Sequence, residues 1–193
     1  QEDFASLPTL KAINVDAENP TLASIDGVLY DKVIQTLYLY PRAKVGPSYV
    51  APNSLLGVYA AAFSGVTNLV RADLSPVAYI GDRAFRGTTS IQEVTFGNSL
   101  EYFSYQLFES AANLKKLTLG SGMYWIESDA FSGNNALACV VYTGSDSYIQ
   151  NFPYPNGVVP VANSSDCLTP FLKSLTKPKM NLKDGKYVCS VGT

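Results

Sequence analysis

Apolar residues recur along this chain at a spacing much longer than the period of a strand or a helix. Phe63, Phe85, Phe108 and Phe131 fall 22, 23 and 23 residues apart, and the same columns reappear around each of them. Val58, Ile80, Phe103 and Ile126 stand five residues before each Phe, and Leu69, Ile91, Leu114 and Leu137 stand six residues after it. Ala72, Val94, Leu117 and Val140 follow at nine, and Leu74, Phe96, Leu119 and Tyr142 at eleven. Phe4, with Leu10, Ile13 and Val15, begins the same pattern. The columns at nine and eleven alternate with polar positions, the period-two mark of a half-buried strand. The segment at each Phe predicts a compact turn or a single helical turn. Gly65, Gly87 and Gly133 close it, supplying the positive φ of a tight reversal.

A unit this small cannot enclose its own apolar side chains. Stacking buries each column on its neighbour, so the period predicts a quasi-one-dimensional solenoid, with a parallel strand ladder on one face and turns on the other. Between 18 and 55 the period is interrupted. There VLY (28–30) and TLYLY (36–40) are β-prone runs joined by DKVIQ, which predicts a hairpin, and Pro41, Pro47 and Pro52 punctuate the return. After Tyr142 the period is expected to end. FPYPNGVVP (152–160) reads as turn-rich, LTPFLKSL (168–175) as a short helix, and MNLKDGKYVCSV (180–191) as a hairpin around Asp184-Gly185. Solenoids need atypical ends, so 144–193 is expected to be a cap, the alternative being the start of a following module or a docking element.

IGDRAFRGTTSIQEVTF and IESDAFSGNNALACVVY resemble leucine-rich repeats of the bacterial surface antigen A (BspA-like) type, whose unit reads roughly I-x-x-x-A-F-x-x-C-x-x-L-x-x-V-x-I. The stretch 18–55, ENPTLASIDGVLYDKVIQTLYLYPRAKVGPSYVAPNSL, resembles the hairpin segment that interrupts arrays in this family. The resemblance implies a leucine-rich repeat solenoid, mostly β, over residues 1–143, with regular repeats at 56–143. It also implies a secreted or cell-surface module that adheres through its strand face to a protein or glycan of host matrix, host cell or neighbouring bacterium. A structural spacer of a larger surface protein is the competing expectation. Two departures stand out: Val66, Thr88, Ala111 and Asn134 replace the mid-repeat Cys, and Leu107 and Ser110 replace Ala and Gly in the 108 repeat, where a distorted turn is expected.

Composition narrows the chemistry. Charged residues make up 16% of the chain, against roughly 25% in an average domain, and the net charge is −2. Neither nucleic acid nor an anionic membrane is an expected partner. The longest apolar run, LLGVYAAAF (55–63), is about half of a membrane span. The chain opens QEDF without Met, as a processed or trimmed piece would.

No histidine is present, which removes the commonest general base and the usual partner of a Ser or Cys nucleophile. A carboxylate-pair glycan enzyme remains as a remote reading. However, Asp26, Asp31, Asp73, Glu93 and Glu127 are scattered over different repeats. No enzyme, cofactor or metal is therefore expected.

The candidate binding face is the outward side of the strand ladder: Arg71, Glu93, Lys116 and Cys139 in one column, and Asp73, Thr95, Thr118 and Val141 in the next. Alternating signs along Arg71, Glu93 and Lys116 predict a self-neutralising ladder. Arg83 and Arg86, in IGDRAFRG (80–87), are expected to be solvated on the turn side. Of three cysteines, Cys167 and Cys189 are the candidate disulfide, closing a loop worth roughly 3 kcal/mol in an exported chain, with Cys139 left unpaired. Asn163-Ser164-Ser165 is a glycosylation sequon, meaningful only in a eukaryotic secretory pathway.

Overall fold

Each repeat contributes two strands with a tight corner between them, and every strand pairs with its equivalent in the neighbouring rung. A computed structural model describes residues 7–167, 179–183 and 186–190. The main ladder is parallel and runs β4 (Ser48–Val50), β6 (Arg71–Leu74), β8 (Glu93–Phe96), β10 (Lys116–Leu119) and β12 (Cys139–Tyr142). Its register places Arg71 beside Glu93, Glu93 beside Lys116, and Lys116 beside Cys139. A second ladder is built from two-residue strands: β5 (Gly57–Val58), β7 (Tyr79–Ile80), β9 (Tyr102–Phe103) and β11 (Trp125–Ile126). It is continuous from β5 to β7 and from β9 to β11. The result is the parallel-strand β-solenoid of the expected class, with little helix.

The predicted columns are the core. All the residues at minus five, plus six, plus nine and plus eleven around the four phenylalanines are buried. The phenylalanines form a spine of near-parallel rings, with Phe63 4.7 Å from Phe85, Phe85 5.3 Å from Phe108, and Phe108 5.7 Å from Phe131. Backbone bonds run beneath it: Phe63 N–H donates to the Ala84 carbonyl, Phe85 to Leu107, and Phe108 to Ala130. Two positions that replace the family's Cys are polar, and both are satisfied. Thr88 Oγ1 donates to the Phe63 carbonyl at 2.8 Å, and Asn134 Nδ2 donates to Ala111 at 3.0 Å while its Oδ1 accepts from Ala136 and Leu137 N–H.

The expected hairpin is present: β2 (Val28–Asp31) and β3 (Thr36–Leu39) pair antiparallel. A further strand, β1 (Leu22–Ile25), joins β2 through a two-residue turn whose Asp26 and Gly27 both have positive φ. Asp-Gly between β-prone runs is the sequence signal for that turn. β3 then pairs parallel with β5, so the insertion ends by acting as a rung. Its Tyr40 stacks on Phe63 at 5.1 Å and extends the spine.

Two expectations are corrected. The 108 turn is not distorted: Ser110 takes a φ of 58°, beside 64° at Gly87 and 72° at Gly133, and its N–H donates to Ser132. Inter-rung hydrogen bonding holds it in a conformation costing about 1–2 kcal/mol for a residue with a Cβ. The period also runs on past Tyr142. Ile149, on the short helix α1 (Ser147–Asn151), and Tyr154 fall 23 residues after Ile126 and Phe131, and both are buried. Tyr154 packs 6.0 Å from Phe131, so a tyrosine occupies the Phe column and masks the repeat. Arg83 and Arg86 are exposed on the turn side, as expected, and each also contacts the next rung. Arg83 Nε donates to Gln106 Oε1 at 2.9 Å and its guanidinium lies over the Tyr105 ring, while Arg86 pairs with Glu109 at 2.6 Å. Each arginine thus clamps the next turn.

Backbone strands β13 (Lys179–Lys183) and β14 (Lys186–Ser190) pair antiparallel, as the tail hairpin predicts. The helix expected at 168–175 lies outside the described residues.

Two predictions follow from this core. Phe85 is fully buried between two stacked rings, so Phe85→Ala should lower unfolding free energy by about 3–5 kcal/mol in urea melts. At the N-terminal end of the spine, Tyr30 and Tyr49 share a 3.0 Å hydroxyl contact, and the buried Tyr40 hydroxyl has no partner. Burial pushes Tyr40 up to about 12 and raises Tyr30 and Tyr49 as well. The folded chain holds these phenols neutral while the unfolded chain ionises near 10. Stability should therefore be intact below pH 10 and lost as pH rises towards 12. Phenolate absorbance followed together with circular dichroism should show ionisation coinciding with unfolding, and Tyr40→Phe should move that transition to higher pH.

Candidate functional site

Alternation along the main ladder points every second side chain outward, and the candidate residues line that outer side unevenly. Arg71 is exposed, and Asp73, Glu93, Thr95 and Thr118 are half-buried on the outer side of β6, β8 and β10. The charge ladder forms at one step only. Arg71 Nε meets Glu93 Oε2 at 3.4 Å, whereas Lys116 Nζ turns away and donates to Ser164 Oγ at 2.8 Å. Asp73 is engaged locally, accepting from Ser75 Oγ and Ser75 N–H.

The C-terminal end of this face is covered. Val161 bridges Val141 in parallel, its N–H donating to Val140 and its carbonyl accepting from Tyr142. The chain then doubles back through a short turn at 164–166, which brings Ser164 to Lys116 and Cys167 to Cys139. Val141 is left 6% exposed and drops out of the candidate face.

The disulfide expectation is corrected with it. Cys139 pairs with Cys167 at a Cα–Cα separation of 5.4 Å, so Cys167 is not available to Cys189. Cys139 is outward-facing as expected. A returning strap, which the repeat pattern gives no hint of, puts its partner above it.

The five scattered carboxylates also have local roles. Asp26 pairs with Lys44, Asp31 accepts from the N–H groups of Gln35 and Thr36, and Glu127 accepts from the Trp125 indole. Glu93 and Asp73 act as described above.

Sequence reasoning missed a second surface, on the short-strand ladder. The position just before each buried minus-five residue points outward, and it reads Tyr79, Tyr102, Trp125 and Tyr148 in successive rungs. Two residues further on, Tyr38 and Tyr59 fill the preceding two rungs, their rings 5.6 Å apart. Each of the six rungs therefore presents one partly exposed aromatic ring. The signal is a column of aromatics at minus six, directly beside the buried column that supplies the core.

One prediction concerns the strap. Its disulfide closes a segment with a sequence separation of 28, so Cys167→Ser should cost about 2–4 kcal/mol. Non-reducing peptide mapping should find Cys139 joined to Cys167, and reductant should lower the melting point of the wild type but not of the variant.

The surroundings of this geometry are familiar. The pneumococcal vaccine antigen PcpA is 26% identical, with a TM-score of 0.65 over 71% of this chain and 34% of that one. A leucine rich cell surface protein from Faecalibacterium prausnitzii is 24% identical, with a TM-score of 0.68 over 84% of this chain and 45% of that one. A leucine-rich repeat protein from Bacteroides capillosus is 20% identical, with a TM-score of 0.57 over 64% of this chain and 99% of that one. The chain thus spans less than half the length of the first two. No curated protein matches it. Residues 47–156, more than half of the chain, match the BspA type leucine rich repeat region in six copies, and the chain belongs to that family.

Proposed function

We propose that this chain is a protein-binding module displayed at a bacterial cell surface, docking through the outer face of β4, β6, β8 and β10. One observation carries the reading: a row of hydroxyl and carboxylate side chains, Asp73, Thr95 and Thr118, stands half-exposed on a ladder whose backbone is held rung to rung. A face fixed in this way loses little conformational freedom on binding, so modest polar contacts suffice for affinity. Its charges are few and partly paired, which points to a partner recognised by shape and hydrogen bonds with a weak dependence on salt. Surface display is supported by two further features. Disulfides persist in oxidising compartments, and one such bond fastens the strap. PcpA and the Faecalibacterium protein are by their names a vaccine antigen and a cell surface protein. Adhesion to host matrix, host cells or neighbouring bacteria is the role such a module would serve.

A spacer with no ligand of its own is favoured by a different observation. Arg71 with Glu93, and Lys116 with Ser164, satisfy one another within the chain.

The two readings separate by experiment. The chain, presented to immobilised extracellular-matrix proteins and to cell surfaces, should bind one of them in surface plasmon resonance. The double variant Thr95→Arg/Thr118→Arg should weaken that binding at least roughly tenfold without changing the melting point. A wild type that binds nothing above the double variant supports the spacer.

A further inference from the structure

The aromatic row on the short-strand ladder forms a second exposed surface, apart from the main-ladder face. Tyr79 does not stand up from the sheet. Its ring lies over Gly57 in the adjacent rung, where an added Cβ would collide with it, and its hydroxyl reaches Thr36 Oγ1, 3.1 Å away, in the rung beyond. The ring is therefore laid flat along the solenoid axis, with one face on the Gly57 backbone. It remains 45% exposed. Around it a shallow open groove is lined by Tyr59, Tyr79, Gly81, Asp82 and Tyr102. The lining contains no cation, and Asp82 takes part in none of the ion pairs among the described residues. Beyond Tyr102 the row continues through Trp125 and Tyr148, whose rings stack at 5.0 Å.

From this arrangement we infer that the groove binds a neutral, β-linked glycan of gluco-configured sugars, with one pyranose stacked on Tyr79. An aromatic face is electron-rich, so it favours a flat partner that presents weakly positive C–H groups. A gluco-configured pyranose carries its ring hydroxyls equatorially and leaves axial C–H groups on both faces, whereas an axial hydroxyl makes one face polar. The equatorial hydroxyls point sideways, towards acceptors at the groove edge, and Asp82 supplies a carboxylate there. An anionic glycan would meet that carboxylate with no compensating cation.

A peptide strand would need an open sheet edge for its backbone. Here β5 is hydrogen-bonded on both sides, to β3 and to β7, and the chain just beyond β7 is already bonded to the next rung, Arg83 N–H donating to the Tyr105 carbonyl. The repeat supports the same ligand class. Rungs recur at about 4.8 Å, the same order as the rise per sugar of an extended β-linked chain, so a polymer running along the axis from Tyr79 keeps step with the rungs.

The test uses the intact chain with cellohexaose and chitohexaose as probes, and with a Lys/Arg-rich peptide and heparin as contrasts. At least one hexaose should show upfield-shifted axial protons and saturation transfer from the protein by NMR. Tyr79→Ala should weaken binding roughly tenfold or more, and Tyr79→Phe should retain the stacking. Gly57→Ala, which keeps the ring but lifts it off the sheet, should weaken binding as well, with circular dichroism showing each variant folded. Asp82→Asn should weaken it less than Tyr79→Ala. Absence of binding by either hexaose at millimolar concentration would overturn the inference. So would hexaose binding indifferent to Tyr79→Ala and Gly57→Ala, or binding of the cationic peptide or heparin in the hexaose's place.

Discussion

The stacking of one aromatic ring per rung along the core is the constraint on which the rest of this molecule depends. A single repeat buries almost nothing by itself. Tyr40, the four phenylalanines and Tyr154 are buried only because each has a ring above or below it. The spine fixes the height of each rung, the rung height brings the backbone groups of neighbouring turns into register, and that register aligns both strand ladders. Ser110 shows the strength of the requirement. It is held at a φ that its glycine counterparts adopt freely, because its N–H must meet the carbonyl of the next turn.

The two ladders divide the surface between different chemistries. On the main ladder the outward residues of β6, β8 and β10 are polar or charged, and the chain's own strap shields the last strand through Val161 and the Cys139–Cys167 bond. On the short-strand ladder the outward residues are aromatic, and the neighbouring positions are small where a ring must lie down. Gly57 under Tyr79 is the clearest case, and Gly81 beside it comes so close to Ala60 that a side chain would collide with backbone. A glycine in a strand usually weakens it. Here it makes room for a ring laid across the sheet.

The polar exceptions within the core follow the same logic of repetition. Thr88 and Asn134 stand where the family's cysteine would stand, and each directs its side chain to a carbonyl of the preceding rung. An apolar position becomes an inter-rung tie at no cost in unsatisfied groups. Arg83 and Arg86 tie the turns from outside in a comparable way, through Gln106, Tyr105 and Glu109.

Period and columns were legible in the sequence because burial in a solenoid repeats with the rung, so the residue at a given offset meets the same neighbours each time. This fixed the core, the main-ladder strands β6, β8, β10 and β12, the β2–β3 hairpin and the outward orientation of Arg71, Asp73, Glu93, Thr95, Lys116 and Thr118, but not the short-strand ladder, where turns were expected. The sixth spine residue escaped because Tyr154 carries the role in a different letter. Only the tertiary structure decided the rest: which cysteine faces Cys167, that the strap removes Val141 from the open face, that Lys116 turns to Ser164, and that Tyr79 lies flat. Each of these depends on contacts made once in the molecule, between segments many residues apart. A repeat pattern records only contacts made in every rung.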